Sequence, residues 1–388
     1  MKTVDASDDA GEPSAIDCAS MAARRRNADG GDPIYRRRNL TRRSVLAGAA
    51  ALAIPGSTGP SRAARQTVPF GSAIQAEIMD ADAAYRQAFL DHCDLVMPMN
   101  ALKFDLLRPT RETWNFEPAD KVVDFALSHG KTTRGTCHVW WGATPDWVTM
   151  LDSEADVERA LVEHIEQVCD RYRGRLVGWD VVNEVIANDP FYDGQSLRDT
   201  FWLRKLGPRH IPIAFEATAR ADPEARLVIN EYDLEYRGPH FEERRVIMLS
   251  IVRQLQDANI RVDAVGLQAH LYMDREIDAD ALLRFSRELD ASGVKLIVTE
   301  LDIIDWQSPA DPEAQDAAAL EKVSTFLDAI FAWKPPEAVI TWGMTDRYSW
   351  INDVMPRPDG NESRPLPLDR SFRPKPWLDL IKRRLASA

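Results

Sequence analysis

From Phe70 onward the chain alternates between short apolar runs and longer stretches with helical spacing, and it does so eight times. The runs are Phe70–Gln75, Leu95–Asn100, Thr132–Trp140, Leu176–Asn183, Arg226–Tyr232, Ala264–His270, Lys295–Leu301 and Ala338–Met344. They are continuously apolar rather than strictly alternating, which suits parallel strands covered by helices. In Ala119–Ser128, Ser153–Arg171, Ile211–Ala221, His240–Ala258, Asp278–Ser292 and Pro312–Phe331, apolar residues recur every three or four positions. Glu154, Glu242 and Pro312 open their helices, and Gly130 and Gly293 follow helix ends. A last helix is expected at Trp377–Leu385, after Pro-rich surface loops at Pro335-Pro336 and Pro356–Pro376. Eight βα units predict an α/β chain folded as a closed (β/α)8 TIM barrel, one domain over residues 66–388. An open doubly wound sheet would carry a glycine-rich loop after its first strand, and Gly71 stands alone.

Residues 1–65 read differently. They hold eleven Lys or Arg against seven Asp or Glu, while the whole chain of 388 residues has a net charge of -13. That balance excludes a broadly basic nucleic-acid binder. Thr41-Arg42-Arg43-Ser44-Val45-Leu46 leads into the mildly apolar Ala47–Ile54, with Ala63-Ala64 at a plausible processing point. The arrangement resembles a twin-arginine export signal over about residues 41–64, set in a disordered basic tail. The apolar run is too short to span a bilayer. The expected product is periplasmic or secreted, monomeric, and without stable membrane association after processing. Four cysteines exclude a disulfide-built scaffold, and Cys93, Cys137 and Cys169 allow one bridge at most. No Cys/His spacing suggests a metal, and no cofactor motif is present.

Chemistry is suggested by where the polar residues fall. The strand ends carry Asn100 with Lys103, His138 to Trp141, Asp180 to Glu184, Asn230 to Tyr232, Gln268 with His270, Thr299 to Asp302, and Trp342 with Asp346 and Trp350. In a barrel these gather at the C-terminal face of the strands, where such folds place their sites. Strand parity puts Trp179, Val181 and Asn183 on one side and Asp180, Val182 and Glu184 on the other, so a bend is needed for Asn183 and Glu184 to meet one ligand. Glu184 and Glu300 form the candidate carboxylate pair that glycoside hydrolysis requires. Trp140, Trp141, Trp147, Trp342 and Trp350 offer flat faces for sugar rings.

These motifs, in this order, resemble glycoside hydrolase family 10, the retaining endo-β-1,4-xylanase family, across residues 68–385. The resemblance rests on Phe70-Gly71-Ser72-Ala73, Asn100 with Lys103, Asn115-Phe116, Trp140 with Pro145 and Trp147, and Trp179-Asp180-Val181-Val182-Asn183-Glu184. It continues through Asn230-Glu231-Tyr232, Gln268-Ala269-His270, Thr299-Glu300-Leu301-Asp302, Trp342-Gly343, Thr345-Asp346, Ser349-Trp350 and Lys375-Pro376. It implies that Glu184 is the acid/base and Glu300 the nucleophile. Asn183 would bind the 2-hydroxyl of the sugar being cleaved, His270 would bond to the nucleophile, and Gln268 would border that sugar. Asn100 and Lys103 would hold the next sugar, with Trp342 and Trp350 lining this glycone side, and Trp140 would also bind substrate. Asp180, Asp302 and Tyr232 would support the site. Glu184 must hold its proton to act as an acid, which a nearby negative Glu300 favours.

The sequence also departs from the family. Thr136 and Trp141 stand where histidines are usual, Ala143 replaces a glutamine, Met99 a glutamate and Glu231 an aspartate. The expected partner is a polysaccharide: xylan or a related β-1,4-linked chain, or a different polymer such as a bacterial exopolysaccharide. A non-catalytic carbohydrate binder on the same barrel is the other reading. Met97 and Met99 are expected as fillers. His138 either enters the space vacated at Thr136 or is structural, Glu231 either lines the cleft or pairs with an arginine, and His164, His210 and His240 are expected at the surface.

Overall fold

The computed structural model describes residues 68–388. In chain order its main elements are β1 Phe70–Ile74, α1 Ala83–His92, β2 Leu95–Pro98, α2 Glu117–Ser128, β3 Val139–Trp140, α3 Glu154–Tyr172, β4 Gly178–Asn183 and α4 His210–Ala221. There follow β5 Arg226–Glu231, α5 Pro239–Asp257, β6 Ala264–Leu267, α6 Ala279–Ala291, β7 Lys295–Ile304, α7 Pro312–Ile330, β8 Val339–Thr341 and α8 Pro376–Ser387. The strands are parallel and run in the order β2-β1-β8-β7-β6-β5-β4-β3. The ring closes where Val96 N–H donates to Thr132 O and Thr132 N–H to Asp94 O, each at 3.0 Å. The expected (β/α)8 barrel is therefore what forms. The expected export signal and basic tail at residues 1–65 lie outside the described residues.

Side-chain spacing explains the layers. In α3 the buried positions Val157, Ala160, Leu161, His164, Ile165, Val168, Cys169 and Tyr172 make one helical stripe. Ser153 starts the helix by accepting from Asp156 N–H, and Asp82, Asp278 and Asp311 cap α1, α6 and α7 in the same way. Each such cap contributes about 1 kcal/mol. One apolar cluster joins strands to helices. A second, made of strand and strand-end residues, includes Ala73, Met97, Met99, Val228, Ala264, Ile297, Ile340 and Trp342 and fills the barrel. Met97 and Met99 are thus fillers, as expected.

Three expectations change here. His164 is fully buried within the α3 stripe and stacks on Phe104 at 3.5 Å between ring centroids. His210 is also buried, with Nδ1 2.8 Å from Gly207 O, and only His240 is partly exposed, beside Asp189. Strand parity breaks at a bulge between Asp180 and Val182. Val181 and Val182 therefore both pack in the strand–helix cluster, and Asp180 and Asn183 no longer fall on opposite sides. Cys93, Cys137 and Cys169 are all free and buried.

The third strand is shorter than the predicted Thr132–Trp140, because its first half joins its neighbours only through single bridges at Thr132 and Gly135. Gly135 is required there: a Cβ at this position would lie 2.0 Å from the ring of Trp179, which is fully buried. Its backbone cannot retreat, since Gly135 N–H donates to Gly178 O and its carbonyl accepts from Asp180 N–H. Gly135→Ala is expected to destabilise the fold by at least about 2 kcal/mol. A urea midpoint equal to that of the parent would show that the strand has room to move.

Candidate active site

Two residues in left-handed backbone build the polar centre at the C-terminal ends of the strands. Glu184, directly after β4, has φ 58°, and Ala269, after β6, has φ 60°. Such a conformation is costly for a residue with a side chain. Here it turns consecutive residues toward one place. Asn183 Nδ2 donates to Glu184 Oε1 at 3.3 Å, and Gln268 Nε2 donates to Asn183 Oδ1 at 3.1 Å and Glu184 Oε1 at 3.3 Å. The pairing of the sheet carries on through both turns, because Glu184 N–H bonds Asn230 O and Glu300 N–H bonds Gln268 O, each at 3.0 Å.

Glu300 enters from β7. Its Oε1 accepts from Asn230 Nδ2 at 2.7 Å, and the same amide donates to Asn183 Oδ1 at 2.9 Å. Thr299 Oγ1 donates to Asn230 Oδ1 at 2.7 Å, which fixes the orientation of that amide. Gly266 makes the space, for a Cβ there would sit 2.2 Å from Asn230 Oδ1. On its other side Glu300 Oε2 lies 3.3 Å from His270 Nε2, while His270 Nδ1 is 2.8 Å from Asp302 Oδ1. Trp350 Nε1 donates to Asp302 Oδ2 at 2.8 Å. Burial alone would depress the imidazolium, but the carboxylates of Asp302 and Glu300 outweigh it and hold His270 protonated well above its ordinary range.

The remaining candidates surround this centre. Lys103 Nζ lies 4.5 Å from the Trp140 ring centroid and 5.7 Å from that of Trp342. Asn100 is half-buried, and its carbonyl accepts from Lys103 N–H. Asp180 sits behind, 2.7 Å from Arg134 Nη2, and burial pushes its carboxyl up to about 6 against the pull of that guanidinium. Tyr232 turns its hydroxyl to Asn188 and Arg198, and Glu231 is fully buried in an ion pair with Arg244 at 2.7 Å. Of its two alternatives, Glu231 takes the arginine. His138 is structural: it stacks on Trp179, with Nε2 3.4 Å from Cys169 Sγ. Trp147 leaves the expected aromatic group and instead packs between Phe104 and Arg108, donating to Arg108 O.

The model of glycosyl hydrolase family 10 matches residues 61–384. The chain belongs to that family. It is 30% identical over 320 residues to endo-1,4-beta-xylanase 1 of Humicola insolens, an alignment covering 80% of this chain and 70% of the relative. Against endo-1,4-beta-xylanase A of Thermoanaerobacterium saccharolyticum the identity is 30% over 327 residues, but the match spans only 26% of that longer protein. The crystal structure of native xylanase 10B from Thermotoga maritima superposes with a TM-score of 0.74 at 26% identity, covering 83% of this chain and 95% of the other.

Within this family-10 chain, two residues at the centre have polar roles that the sequence does not assign. Asn230 opens the run Asn230-Glu231-Tyr232, yet only its bonds to Glu300 and Asn183 reveal its part, and the glycine across from it at 266 is the available signal. Trp141, expected as a flat face at a position where a histidine is usual, donates from Nε1 to Glu184 Oε2 at 2.8 Å. Thr136, Ala143 and Met99 are buried. Asp302→Asn removes one of the two anions that hold the His270 proton. Its imidazole titration, followed by NMR, should move down toward the ordinary histidine range. An unmoved titration would mean that Asp302 does not hold the charge.

Proposed function

We propose that this glycoside hydrolase is an endo-β-1,4-xylanase that acts with retention, with Glu184 as acid/base and Glu300 as nucleophile. The observation that supports this pair is the amide network joining the two carboxyls, in which Asn230 donates to Glu300 and to Asn183, and Asn183 donates to Glu184, and the division of roles follows the family. The substrate class is supported by the xylanases among the relatives. In the first step Glu184 gives its proton to the glycosidic oxygen as the bond from that oxygen to C1 breaks. Glu300 Oε2 or Oε1 then forms the new bond to C1. In the second step water attacks C1, its proton passes to the Glu184 carboxylate, and the ester to Glu300 breaks.

In this reading Glu300 attacks as the carboxylate, with Oε1 held by the Asn230 amide and Oε2 facing His270. Two buried polar groups at the site have no protein partner among the described residues, Gln268 Oε1 and Trp140 Nε1. An unmade bond at such a group costs about 1–3 kcal/mol, and a sugar hydroxyl can serve either one. Lys103 between Trp140 and Trp342, with Asn100 beside it, forms the glycone side in this reading.

Export completes the proposal. The Arg42-Arg43 segment supports passage across the inner membrane, which would bring the enzyme to its polymer as a periplasmic or secreted monomer. No helix among the described residues is long and apolar enough to cross a membrane. Three buried positions, Thr136, Ala143 and Met99, carry side chains unlike the family's, and they favour a second reading in which a different polysaccharide is cleaved by the same pair.

Reducing-end release from xylan, glucuronoxylan, arabinoxylan, β-glucan, mannan and bacterial exopolysaccharides separates these readings. Xylans are expected to be cut, and Glu300→Ala is expected to lower turnover at least about 1,000-fold while the protein still folds. Cleavage of another polymer alone selects the second reading. Full activity in the Glu300 variant rejects the assignment, and binding without any release would make the chain a carbohydrate-binding protein.

A further inference from the structure

The acid/base carboxyl is held unevenly. Its Oε1 meets two side-chain amides, both at 3.3 Å, whereas its Oε2 receives the indole N–H of Trp141 at 2.8 Å. An indole N–H is a donor and never an acceptor, so this contact favours the ionised carboxyl over the protonated one. We infer that Trp141 is a positioning residue of the reaction, which fixes the Glu184 carboxyl and sets the pH at which it gives up its proton. The inference rests on Glu184 being the acid/base.

The indole is itself clamped. The Arg198 guanidinium lies 4.9 Å from its ring centroid, and Trp140 meets it edge-on with centroids 5.9 Å apart. Arg198 is anchored next to the same carboxyl, since its backbone N–H donates to Val185 O at 2.8 Å and its side chain reaches the Tyr232 hydroxyl. A cation over the ring face draws electron density from the indole and strengthens its N–H as a donor. Burial does not force the contact. Trp141 is only partly buried, so water could serve its N–H, yet the N–H points at the carboxyl.

The arrangement matters because one carboxyl has two tasks. It must release a proton when the leaving oxygen departs and take one from water in the second step. A donor that favours the ionised form helps the second task and limits the pH range of the first. The other titratable groups around Glu184 are Glu231 at the end of β5 and Tyr232 after it, Arg198 and His210, with Glu300 joined to it through Asn230 and Asn183 and His270 beyond Glu300. Exchanging Trp141 for Phe alters none of these and keeps a ring under Arg198.

The test is Trp141→Phe in the full chain, with the Glu184 carboxyl followed by carbon-13 NMR as pH is varied. Its titration midpoint should rise by about half to one pH unit relative to the parent, and the alkaline limb of kcat/KM on unactivated xylo-oligosaccharides should move up with it. On a dinitrophenyl xylobioside, whose leaving group needs no proton, the alkaline limb assigned to Glu184 should be absent from kcat/KM in both proteins. An unmoved midpoint in a variant with the parent's circular dichroism overturns the inference, whatever its activity. Glu184→Ala tests the underlying reading separately. It should lose xylan cleavage and turn over the dinitrophenyl substrate slowly, limited by the second step, with azide restoring that turnover, and full xylan cleavage would reject Glu184 as the acid/base without reference to Trp141.

Discussion

The polar centre depends on two left-handed turns, at Glu184 and Ala269. A β-strand presents successive side chains to opposite faces, so no regular strand can offer two neighbouring residues to one ligand. By leaving the extended region for a single residue, the chain delivers Asn183 with Glu184, and Gln268 with His270, to one place. Each turn costs on the order of 1–2 kcal/mol. The backbone ladder survives them through Glu184 N–H to Asn230 O and Glu300 N–H to Gln268 O. The strain is confined to two dihedrals and is offset by the hydrogen bonds that it permits.

Around those turns the charges are graded. Glu300 is met by an amide and by His270, and His270 is fixed from behind by Asp302, itself bonded to Trp350. A negative group that accepts from a cation and an amide is stabilised as the anion without being consumed by a direct ion pair with arginine. The arginines are used elsewhere, where geometry alone is needed. Arg134 satisfies Asp180 inside the barrel, and Arg244 holds Glu231 together with the Tyr232 and Ala187 carbonyls. Breaking such a buried pair leaves an uncompensated charge, costing about 3–5 kcal/mol. These arginines therefore stiffen the frame and make no ion pair with Glu184 or Glu300 among those described.

Much of this was legible in the residues, because a closed parallel barrel makes a simple demand. Strands must be apolar, helices must show one stripe, and whatever is polar at a strand end must meet its counterparts. Glu184, Glu300, Gln268 and His270 follow from that rule. What was illegible depended on single-residue shifts. The bulge between Asp180 and Val182 reverses the parity of everything after it, and no residue type announces it. His164 falls on the apolar stripe of α3, three residues after Leu161 and four before Val168, so position rather than polarity predicted its burial. Trp141 shows only a flat face in the sequence, while its one N–H, correctly aimed, is a polar function.

The same distinction separates the parts of the site that are fixed from those that are free to differ. Asn230 has its two amide hydrogens and its carbonyl all engaged, by Glu300, Asn183 and Thr299, and it lies against a glycine that admits no Cβ. A change there must disturb both carboxyl-bearing strands at once. Met99 meets no such condition. It packs with Trp342 in the barrel's apolar cluster, where volume rather than hydrogen bonding decides what fits. Thr136 and Ala143 are buried and small, so they too shape space more than they assign charge. Changes confined to volume can redraw the walls that meet a sugar chain while the bonds between Asn183, Asn230, Gln268 and the two glutamates stay as they are. Substrate range and reaction chemistry are then carried by different interactions, and the first can drift without loss of the second.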